Sequence, residues 1–170
     1  MTVATSIALL IVRIIVGGGI AAHGAQKLFG WFGGHGLAGT GGFFEGLGFR
    51  PGMFFAIAAG LGEFVGGFLT LLGLGGAIGP ALIVMVMLVA IFTVHISKGF
   101  FITNGGWELN AAYIASAIAI GFAGSGAYSL DAAFGWNYVT NPTHVWYAFA
   151  AAAIVAIVNV LVRRPKPAQS

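Results

Sequence analysis

This chain of 170 residues contains five long apolar runs, and most of its positive charges lie between or after them. The runs are Thr5–Gly24, Gly52–Leu72, Ala77–Ile96, Trp107–Ser125 and Val145–Val162. Each run is close to the ~20 residues that cross a ~30 Å hydrocarbon core at about 1.5 Å per residue. Six of the seven basic residues then fall on one side of the bilayer, namely Lys27, Arg50, Lys98, Arg163, Arg164 and Lys166. We predict an all-α membrane protein with five transmembrane helices.

The distribution of these charges also predicts an orientation. Loops that remain in the cytoplasm carry an excess of lysine and arginine. The loops Gln26–Pro51 and Ser97–Gly106 and the tail after Val162 should therefore lie in the cytoplasm, whereas the loop Ala127–Thr143 carries no basic residue and should lie outside. An odd number of crossings places the amino terminus outside and the carboxyl terminus in the cytoplasm.

The composition excludes several classes of function. With 59% hydrophobic and 6% charged residues, the chain cannot cover a soluble globule with polar surface, so it needs lipid around it. The net charge of +3 is spread over the membrane boundaries, which argues against a nucleic-acid partner. The chain has no cysteine, so disulfides, cysteine-bound iron–sulfur clusters and covalent c-type haem are excluded. Redox chemistry would need a bound cofactor or a partner subunit.

The loop Gln26–Pro51 has an unusual composition, because it interleaves glycines with aromatic residues. Glycine allows the backbone to turn freely, while aromatic side chains favour an apolar or interfacial surface. We expect this loop to form a lid or a short helix on the cytoplasmic headgroups.

Two charged residues, Arg13 and Glu63, lie inside the apolar runs. Counted along the helices from Thr5 and Leu72, they lie roughly 12 and 14 Å below the outer ends. A charge at such depth is costly and usually turns inward to find a partner. We therefore predict an Arg13–Glu63 ion pair, which either holds two helices together or takes part in catalysis or proton transfer.

Five polar residues reach the cytoplasmic ends of three runs: His23, Lys27, His95, Glu108 and Asn110. Histidine exchanges protons near neutral pH, Lys27 can stabilise a developing anion, and Glu108 can accept a proton or orient a histidine. We interpret this layer as a collar for the polar head of a quinone whose tail stays in lipid. Other interpretations remain open: side chains that only anchor the helix ends, a haem b between His23 and His95, or a metal held with Glu108.

The same residues belong to a longer pattern. It comprises Arg13, His23-Gly24-x-x-Lys27-Leu28, Phe29-Gly30-Trp31-Phe32-Gly33-Gly34, Glu63-x-x-Gly66-Gly67, Gly99-Phe100-Phe101 and Gly105-Gly106-x-Glu108. In this order the motifs resemble the DoxX family of small bacterial membrane proteins, over Ala4–Asp131. The resemblance implies a four-helix transmembrane bundle in the bacterial inner membrane. Relatives of the family include the DoxD-type subunits of thiosulfate:quinone oxidoreductase, which implies an association with redox complexes of the membrane.

The chain has one apolar run, Val145–Val162, more than a four-helix protein needs, so we divide it into two parts. Residues 1–131 should form the DoxX-like bundle, and residues 132–170 an outer loop, a fifth transmembrane helix and a basic tail. The leading hypothesis is a redox-associated subunit that binds a quinone-like molecule and works with a partner oxidoreductase. The alternatives are a non-catalytic anchor or assembly scaffold for oxidoreductases and a carrier of small molecules; a homo-oligomer is compatible with each.

Overall fold

The structure is a computed structural model that describes residues 1–136 and 141–164, and within these residues it is helical without strands. Its α-helices are α1 (Val3–Phe29), α2 (Gly36–Gly46), α3 (Gly52–Leu72), α4 (Ile78–Ala90), α5 (Glu108–Ala123), α6 (Leu130–Ala133) and α7 (Pro142–Leu161). A π-helical turn, Ile91–His95, and a 3-10 turn, Ile96–Lys98, continue α4. Further 3-10 turns lie at Trp31–Gly33 and Ile102–Asn104.

Four of these elements are long and apolar enough to cross a membrane: Val3–Phe29, Gly52–Leu72, Ile78–Lys98 and Pro142–Leu161. The prediction of an all-α membrane protein is confirmed, and the C-terminal run is one of the four. The predicted fourth run forms the shorter helix α5, which has 16 residues. At 1.5 Å per residue that helix is about 24 Å long, less than the ~30 Å of a hydrocarbon core.

Local sequence signals fix the ends of the long helices. Helices α1 and α3 stop at Gly30 and Gly73, which have φ angles of 72° and 63°. Glycine adopts this left-handed conformation without a steric penalty, so both are favourable C-terminal caps. Helix α7 starts with Pro142 after Asn141, whose side chain accepts a hydrogen bond from the Thr143 amide.

A glycine seam joins α1 to α3, and we define it as Gly17, Gly24, Gly60 and Gly67. A Cβ atom added at Gly17 would lie 2.5 Å from the Leu71 nitrogen, and one added at Gly24 would lie 2.7 Å from the Phe64 Cα. The two backbones are therefore in direct contact, which only glycine permits. This seam fixes the register of the antiparallel pair.

Helix α4 packs against the opposite side of α3. Gly66 faces the Cβ of Leu82 and Gly62 faces the Cγ1 of Val86, so glycine again brings the helices together. The core between α1, α4 and α5 contains Val16, Ile20, Ile83, Val84, Val86, Met87 and Ala117. Helices α1, α3, α4 and α5 thus form a four-helix bundle, as expected from the resemblance.

Helix α7 packs on the outside of this bundle, mainly against α4. Near its start, Val145 and Phe149 pack over Gly121 of α5. Beyond its last turn, the Arg164 amide donates a hydrogen bond of 2.8 Å to the Gly48 carbonyl, between α2 and α3. We call the end of the bundle that carries this contact the Lys27 end, and the opposite end the Arg13 end. Lys166 of the predicted basic tail lies outside the described residues.

Candidate functional site

A cavity of about 340 Å³ opens at the Lys27 end, between α2, α3, α4 and α7. Its walls are mostly apolar, and its polar lining residues are Lys27, Glu63, Thr93, His95 and Asn159. An apolar cavity with a few convergent polar groups is the usual form of a small-molecule site. We therefore take it as the candidate site.

The ion pair of the cavity joins α1 to α3. Lys27 Nζ lies 2.5 Å from Glu63 Oε2. Glu63 is 5% exposed, whereas the Lys27 side chain is 28% exposed, so the carboxylate is the buried member of the pair. A buried carboxylate needs a charged or hydrogen-bonding partner, and Lys27 provides it.

The predicted Arg13–Glu63 ion pair is wrong, because Glu63 pairs with Lys27 instead. The prediction assumed that Thr5 and Leu72 lie at the same depth. In the structure the glycine seam sets Gly17 beside Leu71 and Gly24 beside Phe64. The amino-terminal turns of α1 therefore extend beyond the end of α3, and Arg13 lies level with Gly73 rather than with Glu63.

Arg13 is 1% exposed and its guanidinium binds four backbone carbonyls. Nε donates to Thr70 O over 3.0 Å and Nη2 to Leu71 O over 2.9 Å, at the carboxyl end of α3. Nη1 donates to Ser125 O and Tyr128 O, in the segment after α5. A cation at a helix carboxyl end is favourable, because the carbonyls there lack partners within the helix. Arg13 thus joins α1 to two other parts of the bundle.

Asp131 lies beside this arrangement and balances its charge. The structure buries Asp131 to 4% exposure. Its carboxylate accepts hydrogen bonds of 2.8 Å from the amides of Gly75 and Gly76, and one of 3.1 Å from the Ser125 hydroxyl. Asp131 also interacts electrostatically with Arg13. These contacts fix the α3–α4 turn against the segment after α5.

His95 reaches the cavity from the π-helical turn Ile91–His95. Its Nδ1 lies 2.6 Å from the Gly105 carbonyl, which can only accept, so Nδ1 carries the proton. Nε2 of the neutral ring is then free to accept a proton. Single π-helical turns often occur at functional sites, because the inserted residue redirects neighbouring side chains.

The other residues of the predicted collar lie away from the cavity lining. His23 is exposed on α1, with Nδ1 3.0 Å from Gln26 Oε1. Glu108 accepts a hydrogen bond from the Ile102 amide and so stabilises the loop before α5. Asn110 is buried and donates to Met87 Sδ over 3.4 Å. The structure therefore brings together Lys27, His95 and Glu63, and it separates His23, Glu108 and Asn110 from them.

Three aromatic side chains that line the cavity were not predicted as site residues from the sequence. Phe44, Phe49 and Phe55 contact one another in series at tilted angles, with ring centroids 5.4 and 4.9 Å apart. Phe44 belongs to α2, so part of the loop Gln26–Pro51 does form a short helix, and this helix lines the cavity. The other missed residue is Asn159, whose sequence signal was an amide inside an apolar run.

In the described parts of the chain, no group of three histidine, aspartate or glutamate residues could hold a metal ion. The polar groups of the cavity are instead a cation, a carboxylate, a hydroxyl, an imidazole and an amide. These groups suit an uncharged ligand with carbonyl or hydroxyl oxygens.

The helical bundle and its long apolar helices define a polytopic membrane protein, and the cavity lies between these helices. The model of the DoxX family matches residues 8–96, just over half of the chain. The chain belongs to the DoxX family, which confirms the resemblance seen in its sequence. No curated protein and no solved structure matches it significantly.

Proposed function

We propose that the protein is a redox-associated membrane subunit that binds a quinone-like molecule in the cavity at the Lys27 end and works with a partner oxidoreductase. The observation that carries the proposal is the shared cavity, which unites the Lys27–Glu63 pair and His95 with aromatic and aliphatic walls. Quinones combine polar carbonyl oxygens with an apolar ring and chain. The cavity offers polar groups for the oxygens and apolar walls for the rest of the molecule.

Each polar group of the cavity has its own role in this proposal. Lys27 can donate a hydrogen bond to a quinone oxygen and stabilise negative charge that develops there. Glu63 holds the ammonium group in place through the 2.5 Å contact. His95 can take or return a proton at Nε2 while Nδ1 stays on the Gly105 carbonyl. A bound quinone supplies the redox chemistry, and these residues bind and orient it and move protons.

The composition supports the proposal of a partner. The chain has no cysteine, so a thiolate-bound redox centre must come from another polypeptide. Exposed aromatic residues at the Lys27 end, Phe29, Trp31 and Phe32, offer a surface for such a partner. The same surface favours a second candidate function, a non-catalytic anchor that assembles oxidoreductases without binding a quinone.

We also propose that the Lys27 end faces the cytoplasm of a bacterial cell and that the protein lies in the inner membrane. The basic residues at this end support the orientation. Single cysteines at Thr103 and Ala132, both exposed, test it. A membrane-impermeant maleimide applied to whole cells with a permeable outer membrane should label Ala132→Cys, and should label Thr103→Cys only after the inner membrane is opened. The reverse pattern would invert the orientation.

Quinone binding is tested with protein purified in mild detergent, by extraction of bound quinone and by equilibrium titration with a quinone analogue. Glu63→Gln and His95→Ala should each weaken binding at least about tenfold, the loss of roughly one charge-assisted hydrogen bond. The matched controls are Glu45→Gln and His23→Ala, which change the same residue types outside the cavity lining. The controls should bind like the wild type.

Each outcome separates the two candidate functions. Binding that is lost in the cavity variants and kept in the controls supports the redox subunit. A wild-type protein that binds no quinone, yet co-purifies with an oxidoreductase, would contradict quinone binding and favour the anchor. Equal effects of His23→Ala and His95→Ala would place the ligand at the helix ends rather than in the cavity.

A further inference from the structure

The cavity has a lateral opening in the part of the bundle that faces lipid. Its lining includes Ala58 of α3, Val155 of α7 and Phe43 of α2, and all three side chains are exposed. Helix α7 is in contact with α4 and α5 but makes little contact with α3, so a gap separates α3 from α7 on this side. We call Ala58 and Val155 the lateral mouth.

The depth of the lateral mouth places it in the hydrocarbon region. Ala58 lies six residues inside α3 from Gly52, and Val155 lies six residues inside α7 from Leu161. At 1.5 Å per residue both lie about 9 Å along their helices from the Lys27 end. The neighbouring exposed side chains are apolar: Phe54, Ile57 and Leu61 on α3, and Ile154, Ile157 and Val158 on α7. The mouth therefore opens toward acyl chains.

The volume of the cavity limits what it can enclose. A dry cavity of about 150 Å³ holds a benzene molecule. The present cavity, about 340 Å³, has room for a substituted single or double ring. A long isoprenoid or alkyl chain does not fit beside such a ring, so it needs a way out of the cavity.

We propose that the ligand is an amphiphile whose ring lies in the cavity and whose hydrocarbon chain leaves between α3 and α7 through the lateral mouth. The polar end of the cavity, at Lys27 and Glu63, holds the head, and the apolar mouth passes the chain into lipid. Asn159 is a polar residue of α7 close to the apolar mouth. Its amide nitrogen already donates to the Val155 carbonyl of its own helix over 2.9 Å, so it is compatible with a hydrocarbon chain there. This inference rests on the proposed function and adds the class of ligand and its route.

The experiment compares two quinones that share one ring, a dimethoxy-methyl-benzoquinone with a decyl chain and the same ring without a chain. Equilibrium binding is measured in nanodiscs, with ligand expressed per lipid, for the wild type, Ala58→Phe and Val155→Phe. The matched controls are Leu61→Phe and Ile157→Phe, which place the same new side chain at lipid-facing positions outside the cavity lining. All four positions are exposed, so folding should be preserved, and membrane yield checks this.

We expect the mouth variants to weaken binding of the decyl quinone at least tenfold and to leave binding of the chainless ring within twofold of the wild type. The controls should bind both ligands normally. Unchanged decyl-quinone binding in both mouth variants would overturn the lateral route, as would an equal loss for both ligands, which would make the mouth part of the head-group site. A wild type that binds neither ligand would overturn the proposed function itself, a result distinct from these two.

Discussion

Lys27 Nζ and Glu63 Oε2 lie 2.5 Å apart, and this contact is the ion pair that closes the polar end of the cavity. The pair also spans the contact between α1 and α3, at the Gly24 and Gly60 end of the glycine seam. Stability and the proposed ligand binding therefore depend on the same contact. The coupling can be measured apart from any redox activity.

A double-mutant cycle on Lys27 and Glu63 should show this coupling. Lys27→Met leaves the buried carboxylate without its partner, so we expect a loss of about 2 kcal/mol in the free energy of unfolding, less than for a fully buried pair. Adding Glu63→Gln should recover part of the loss, because the uncompensated charge is removed. Reversible unfolding in mixed detergent measures all four proteins. Strictly additive effects would contradict the pair.

Arg13 should behave as an independent structural residue. Arg13→Met removes the guanidinium that donates to four carbonyls of two segments and the charge that balances Asp131, so we expect a loss of about 3 kcal/mol or more. Combined with Glu63→Gln, the effects should add within about 0.5 kcal/mol, as they do for distant sites. Rescue of Arg13→Met by the Glu63 change, measured as folded yield in the membrane, would restore the original ion-pair hypothesis.

The sequence predicted most of the helices because the apolar runs and the glycine and proline boundaries are local signals. It did not predict the partners of Arg13 and Glu63, because the relative depth of two helices depends on where their surfaces fit. The fit is set here by Gly17 and Gly24 against α3, and no property of a single run reveals it. The cavity is a similar case, since Lys27 and His95 were found from the sequence while Phe49 and Asn159 were not.

The glycine seam provides a test with an adjacent control. Gly17→Ala places a methyl group 2.5 Å from the Leu71 nitrogen and 2.7 Å from the Gly67 oxygen, both backbone atoms that cannot rotate away. We expect a loss of about 1–3 kcal/mol from overpacking. Gly18→Ala meets no atom within 4 Å and should be neutral or slightly stabilising. Thermal unfolding in detergent compares the two variants, and equal melting temperatures would contradict the close approach of α1 and α3.

Asp131 should contribute to stability although it lies outside the long helices. Asp131→Ala removes the acceptor for the Gly75 and Gly76 amides and the Ser125 hydroxyl, and it leaves Arg13 without a balancing charge. We expect a loss of about 2–3 kcal/mol, with a smaller loss for Asp131→Asn, which keeps one acceptor oxygen. Glu45→Gln, at an exposed position, should change stability by no more than about 0.5 kcal/mol. Melting curves that match the wild type for Asp131→Ala would contradict this role.

The position of α7 on the outside of the bundle has a consequence for how the cavity can change. The family match ends at residue 96, so it includes the Lys27–Glu63 pair and His95 but not Val155 and Asn159. One side of the cavity is thus supplied by α7, a helix that packs on the bundle from outside. Replacing α7 by a different helix would change the shape of the cavity, while Lys27 and Glu63 would keep their positions.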